Sequence, residues 1–346
     1  MPCRFPYARI YPAYQYLYLD LVRNGFVVLA YDPIGQGERR YFWNPHTHKS
    51  EIGGPLTWEH DMPGHLLLLV GENLTQFRIW DGMRAIDYLL SRPEVDAKRI
   101  GCTGHSDGGT LTLFISALDE RVQCAAMHEG GKRHRSPLEI RPETPVGTGD
   151  VEQHFFPAAI YGIDLPDVHV AIAPRPLLAT IENYSPGFNA AAREISERYA
   201  LLGAPEKIAT EEATDPHALT MKLRLATTDW FCRWFYNRRG PEREPDYVPE
   251  SAEDLYCTPN RSVRYSQQGE TIFSLVLKTQ ASLPPHRKFP TSPTELESYR
   301  AAISGEIAEL LHIRRNSFLL EARHLGTTPR KGYQVEKVEF ISEPGI

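Results

Sequence analysis

Gly104-His-Ser106-Asp-Gly108 is the stretch of this sequence whose residue types and spacing can do chemistry. It lies between a short apolar run ending at Thr103 and a helix-like run from Thr110 to Leu118. A serine on a sharp strand-to-helix turn presents its hydroxyl clear of the backbone, and glycines two residues to either side let strand and helix approach closely. The helix N-terminus beneath it favours developing negative charge, and the N–H of Asp107 points where a tetrahedral oxyanion would form. The pattern therefore predicts nucleophilic attack by Ser106 on an acyl carbonyl.

A serine needs a base, and the base needs an orienting carboxylate. In chain order the base comes last, on a loop after the final strand, which is where Asp215-Pro-His217 stands. His46, His48, His60, His65 and His134 lie upstream of that strand or on polar runs and read as surface or loop residues, and His105 reads as a packing residue of the turn. For the acid two positions compete. One is Glu182, after the strand-like run Pro176 to Ile181, with Asn183 as a neutral neighbour. The other is Glu129 in Met127-His-Glu-Gly-Gly131, which the glycine pair favours slightly, because strand C-terminal ends line the crevice of open α/β sheets. Each also reads as a solvated loop charge.

These residues need a scaffold, and the chain predicts one. Helix-like Tyr14 to Arg23 stops at Asn24-Gly25 and is followed by Phe26 to Tyr31, read as a buried strand. The alternation continues with helix Phe77 to Leu90, strand Arg99 to Thr103, helix Thr110 to Leu118 and strand Val122 to Met127. Strand Pro176 to Ile181, helix Asn189 to Leu202, strand Lys207 to Glu212 and a closing helix Ala218 to Phe235 complete it. Such alternation implies a mostly parallel sheet with helices on both faces. After Arg239, Gly240-Pro-Glu-Arg-Glu-Pro245 marks a linker, so the expected division is a catalytic domain over 1–239 and an extension over 240–346. The extension holds a strand-like Thr271 to Leu277, a Pro-rich break from Leu283 to Pro293, a helical run Glu295 to His312 and a strand pair near Tyr333 to Ile341.

Composition narrows the partners. With 38 Lys plus Arg against 44 Asp plus Glu, a net charge of -6 supplies no field to gather nucleic acid. The longest apolar stretch, Leu66 to Val70, is far short of the roughly 20 residues of a membrane-spanning helix. Five cysteines without CxxC spacing indicate neither a disulfide framework nor a zinc site and fit a reducing compartment. No secretory signal opens the sequence, so a cytoplasmic protein is expected, or a secreted one if a leader was lost upstream. Oligomeric state is left open.

Taken together, Tyr31-Asp-Pro-Ile-Gly-Gln-Gly-Glu-Arg39, Trp80-Asp-Gly-Met-Arg-Ala-Ile-Asp87, Gly104 to Gly109, Leu201-Leu-Gly-Ala-Pro-Glu206 and Asp215-Pro-His217 resemble the α/β-hydrolase superfamily. The resemblance is nearest to bacterial acetyl xylan esterase-like and glucuronoyl esterase-like enzymes, and covers Tyr14 to Asn237. It implies serine esterase activity without metal or organic cofactor, with Ser106 as nucleophile and His217 as base. Glucuronoyl esterases carry the acid where Glu129 stands, most relatives where Glu182 stands. They also carry arginine after the serine, whereas Asp107 here argues against a uronate ester.

The resemblance further implies three strands before the first helix, the loop after the third supplying the second oxyanion donor. The segment ahead of that helix, Pro2 to Pro12, does not carry them. Gly332 to Gly345 looks like the opening strand pair of a related domain, which either completes the sheet in permuted order or begins a second hydrolase domain. The expected function is hydrolysis of small acyl esters, of carbohydrates or aryl alcohols. The alternatives are a peptidase of the same fold and a catalytically silent binding module.

Overall fold

Val122–His128 is a strand in which Val122, Cys124, Ala125, Ala126, Met127 and His128 are buried. A strand apolar on both faces belongs inside a parallel sheet covered on both sides. The computed structural model describes residues 8–52, 58–128, 151, 158–182, 188–213, 218–283, 288–313, 319 and 321–342. In chain order the first elements are α1 (Pro12–Arg23), a small antiparallel hairpin of β1 (Trp43–Asn44) and β2 (Lys49–Ser50), α2 (Trp58–Leu68) and α3 (Leu74–Leu90). Then come β3 (Ile100–His105), α4 (Asp107–Leu118), β4 (Val122–His128), α5 (Leu165–Val170), β5 (Leu177–Glu182), α6 (Phe188–Leu201), β6 (Ile208–Ala213) and α7 (Met221–Tyr236). Strands β3, β4, β5 and β6 form one parallel sheet in that order.

Side-chain alternation divides the core between the two faces. Ala125 and Met127 of β4 and Leu177 and Ala179 of β5 pack with Leu113, Phe114 and Ile195 of α4 and α6. The intervening Cys124, Ala126 and Leu178 pack with Leu17 and Leu21 of α1 and Leu223, Trp230 and Phe231 of α7. A third layer ties α3 to α4 through Ile86, Leu111 and Ile115. No helix among the described residues is long and apolar enough to cross a membrane.

Two expectations are corrected. Phe26 to Tyr31 is extended but is not a ladder strand: among the described residues, Val27 to Tyr31 make no backbone hydrogen bond. The segment runs alongside β3 in the same direction. At its start Tyr236 Oη donates to Gly25 O (2.7 Å), while Gly101 of β3 lies against Phe231 and Phe235 of the same helix; at its far end Gln36 meets Asp107. Between it and the outer edge of β3 lies a cavity of about 430 Å³ walled by Leu17, Phe26, Val28, Ile115 and Phe231. Nor is the run buried: Val27 is exposed and the rest half-buried, because an apolar run is recognisable locally whereas its burial and pairing depend on neighbours.

The second correction is Thr271 to Leu277, expected as strand, which lies in the helix α10 (Ile272–Ser282). Thr271 and Ser274 cap each other's backbone, and Ile272, Phe273, Leu275 and Val276 fit helical spacing against Leu67 and Leu74. Tertiary packing overrides the strand preference of these residues.

The first compact unit runs to Leu283, beyond the linker expected after Arg239. Arg224 of α7 holds Glu244 through Nε (2.5 Å) and NH2 (2.6 Å). Glu38 accepts from the backbone N–H groups of Cys257 and Thr258 (both 2.9 Å), near the short helix α8 (Ala252–Leu255), and Arg264 of α9 (Val263–Gln267) donates to Tyr41 O at 2.6 Å. The second unit, Pro284–Ile346, contains α11 (Pro293–Leu310) and a hairpin of β7 (Arg323–Arg330) and β8 (Tyr333–Glu339), antiparallel to each other. The expected strand pair began at Tyr333; its partner precedes it, across a turn with Gly332 at φ 86°.

Candidate active site

Ser106 has φ 60° and ψ -122°, between the last residue of β3 and the first of α4. A non-glycine residue in that region is strained, and such strain persists where the surrounding structure enforces it. Here Ser106 N donates to His128 O of β4 (2.9 Å), and Thr110 N donates to Ser106 O (3.1 Å). A Cβ on Gly104 would stand 2.3 Å from Gly108 O, so strand and helix cross too closely for any side chain there.

His128 anchors the same sheet end. Thr227 Oγ1 donates to Leu223 O (2.9 Å), so it accepts from His128 Nε2–H (2.5 Å), and Nδ1 in turn accepts from the hydroxyl of Thr180. This assigns the tautomer from the network. Complete burial, with His105 nearby, pushes the His128 pKa down to about 3, so the ring is neutral and links β4, β5 and α7.

Ahead of Ser106 stands the turn Asp32 to Gly37. Arg78 of α3, fully buried, donates from Nε to Ile34 O (3.1 Å), and Asp81 accepts from Ile34 N (3.2 Å) while pairing with Arg39. Gly35, at φ 85°, lies so close to α2 that a Cβ would come within 2.5 Å of His60 Cβ. The turn reaches the elbow through Gln36, whose Nε2 donates to Asp107 Oδ2 at 2.9 Å. That oxygen is also 3.8 Å from Arg78 NH1 and 3.8 Å from His60 Nε2. His60, only 1% exposed, has its pKa pushed down to about 4 by burial first and by the Arg78 cation second, against the pull of Asp107. The reading of His60 as a surface residue is thus corrected. Its helix contains Pro63 and Gly64, which hide the periodicity that would have flagged a buried face.

His105 is a packing residue, with Nδ1 3.3 Å from Tyr14 Oη. Trp43 is buried under Arg40 (4.0 Å to the ring centroid), and Trp58 and Trp80 are exposed. Glu182 is the last residue of β5, and its side chain lies outside the described residues. Glu129, which directly follows β4, and Asp215 and His217, between β6 and α7, also lie outside them. Register puts His105 beside His128, His128 beside Thr180, and Glu182 beside Ala213. Strands β4, β5 and β6 therefore end on the same side of the sheet as β3, which leads into Ser106.

Comparison with known proteins bears on this arrangement. Residues 16–128 match the family model described as acetyl xylan esterase (AXE1). "Putative hydrolase YtaP" of Bacillus subtilis (strain 168) is 26% identical over 225 residues, 62% of this chain and 67% of that protein. "Acetyl esterase Axe7A" of Xylanibacter ruminicola is 49% identical over 47 residues, 13% of this chain and 11% of that protein. Among solved structures, "Methylesterase BT1017" aligns over 85% of this chain at TM-score 0.51 and 20% identity. The alignment spans 58% of that chain, and at this identity it speaks for the fold alone. With its parallel sheet, its helices on both faces and its serine elbow, the chain has the α/β-hydrolase fold, and residues 16–128 match the acetyl xylan esterase family model.

Proposed function

We propose that this chain is a serine carboxylic ester hydrolase acting on small acyl esters of carbohydrates. The observation that carries the reading is the positive-φ serine at the strand-to-helix junction, with the N–H groups of the first turn of α4 beneath it. Ser106 Oγ attacks the acyl carbonyl while His217 takes its proton, and the oxyanion is met by the N–H of Asp107. Collapse breaks the ester C–O bond, His217 returns the proton to the leaving alcohol, and water then releases the acid from the acyl-enzyme. Glu129 or Glu182 orients the histidine and stabilises its imidazolium. This chemistry calls for no metal or organic cofactor. The acetyl xylan esterase match supports an acetyl group on a sugar hydroxyl as the substrate class.

Hydrolysis of p-nitrophenyl acetate by the wild type, with Ser106→Ala inert and unlabelled by a fluorophosphonate, is the expected result. A folded wild type that neither turns over nor takes the label would overturn the reading and leave a binding module in its place. Glu129→Gln and Glu182→Gln identify the acid: loss of a triad carboxylate costs about 10⁴ in kcat, and the other variant keeps its activity.

A further inference from the structure

Asp107 sets a difficulty for the centre it helps to build. Its backbone N–H is the proposed donor to the oxyanion, yet its own carboxylate sits in the first turn of α4, directly after the nucleophile. A fixed negative charge beside developing negative charge raises the barrier, the reverse of preorganised stabilisation, and in a site screened from water the effect is large. Asp107 is itself buried, so solvent does little to screen it.

Among the described residues, three side chains meet Asp107 Oδ2. Gln36 donates a hydrogen bond at 2.9 Å, which orients the carboxylate but brings no charge. His60 is 3.8 Å away, and burial together with Arg78 holds its ring neutral at pH 7. Arg78, whose NH1 is also 3.8 Å away, is always protonated and has no exposed surface. Its Nε is fixed on Ile34 O, so the guanidinium has little freedom to leave. A fully buried arginine on α3 is costly to desolvate, and a charge partner is what makes such a position tenable.

We propose that Arg78 is a positioning residue of the esterase centre: its buried guanidinium cancels the charge of the Asp107 carboxylate and holds it toward the Gln36 turn. The N–H of Asp107 then faces the reacting carbonyl with no opposing charge behind it. This rests on Ser106 being the nucleophile and adds the electrostatic condition under which that serine can work. The residue after the nucleophile carries a charge the oxyanion must not feel, and α3 supplies the counter-charge from below.

The test is a charge-rescue cycle on p-nitrophenyl acetate, with kcat normalised to the protein labelled by fluorophosphonate. Arg78→Met is expected to lower kcat about tenfold or more, within the range of coupled neighbouring groups, with little change in KM because Arg78 does not touch substrate. Adding Asp107→Asn to Arg78→Met restores most of the lost kcat, since it removes the charge that Arg78 balanced. A purely structural role for Arg78 would not be rescued this way. Should Arg78→Met fail to fold, Arg78→Lys against Arg78→Gln reads the same quantity: lysine keeps the charge and most of kcat, glutamine loses it. If Ser106→Ala still hydrolyses the ester, the nucleophile assignment has failed. If Ser106→Ala is inert but Arg78→Met turns over like wild type, or Asp107→Asn does not rescue it, this inference is overturned.

Discussion

Acid should unfold this protein early, and His128 offers a way to measure how much of that loss is stored in one ring. His128 is wholly buried between Thr180 and Thr227, with its pKa pushed down to about 3. His60 and His169 are buried too, each pushed down to about 4. In the unfolded chain a histidine titrates near about 6.5. A depressed folded pKa means that the unfolded state binds the proton first, so the stabilising contribution is present above about pH 6.5 and is lost as pH falls toward the folded value. From pH 7.5 to 5 each of the three gives up about 2 kcal/mol, about 6 kcal/mol together, against a typical total of about 5–15 kcal/mol. Replacing His128 with Gln keeps a neutral hydrogen-bonding side chain and removes the titration. Urea unfolding followed by tryptophan fluorescence at pH 7.5 and pH 5 should show the stability difference between the two pH values shrinking by about 2 kcal/mol in His128→Gln. Comparing the variant with wild type cancels the other titrating groups. An identical pH dependence in both proteins would refute the reasoning.

Two further outcomes follow from the packing. Gly104→Ala puts a Cβ 2.3 Å from Gly108 O, so β3 and α4 must separate. Its urea midpoint should fall sharply, and labelling of Ser106 by fluorophosphonate should be lost even in protein that stays soluble. Phe231→Ala empties a site shared by α1, α7 and the sheet and should cost about 3–5 kcal/mol in urea unfolding, with the labelling of Ser106 retained in the folded fraction.

The elbow and the β–α alternation were legible in the sequence because their signals are local: glycines at fixed offsets from Ser106, apolar runs of strand length, and stop signals such as Asn24-Gly25. The cluster around Asp107 was not. Arg78 sits in a helix among Gln76, Asp81 and Arg84, where a charged residue ordinarily faces water, and its burial becomes visible only when α3 is packed under the turn at Ile34. His60 was hidden because Pro63 and Gly64 break the periodicity of α2. The strand assignment of Phe26 to Tyr31 rested on an apolar run, but burial and a ladder are properties of two segments, and the sequence of one does not reveal whether the other is beside it. Thr271 to Leu277 shows the opposite failure: β-branched and aromatic residues imitate a strand until their spacing is set against the surface they cover.

The cavity beside β3 has a consequence for how firmly the nucleophile is held. In a parallel strand successive peptide groups point alternately to the two neighbours, so about half of those in β3 bond to β4 and the rest face the void. Among the described residues, the strand that aims Ser106 is thus paired on one flank, by β4 and by the His128 carbonyl. A strand edge without a ladder partner among the described residues is also adhesive toward extended backbone. Colloidal behaviour of this molecule is therefore tied to the same edge that governs its catalytic precision.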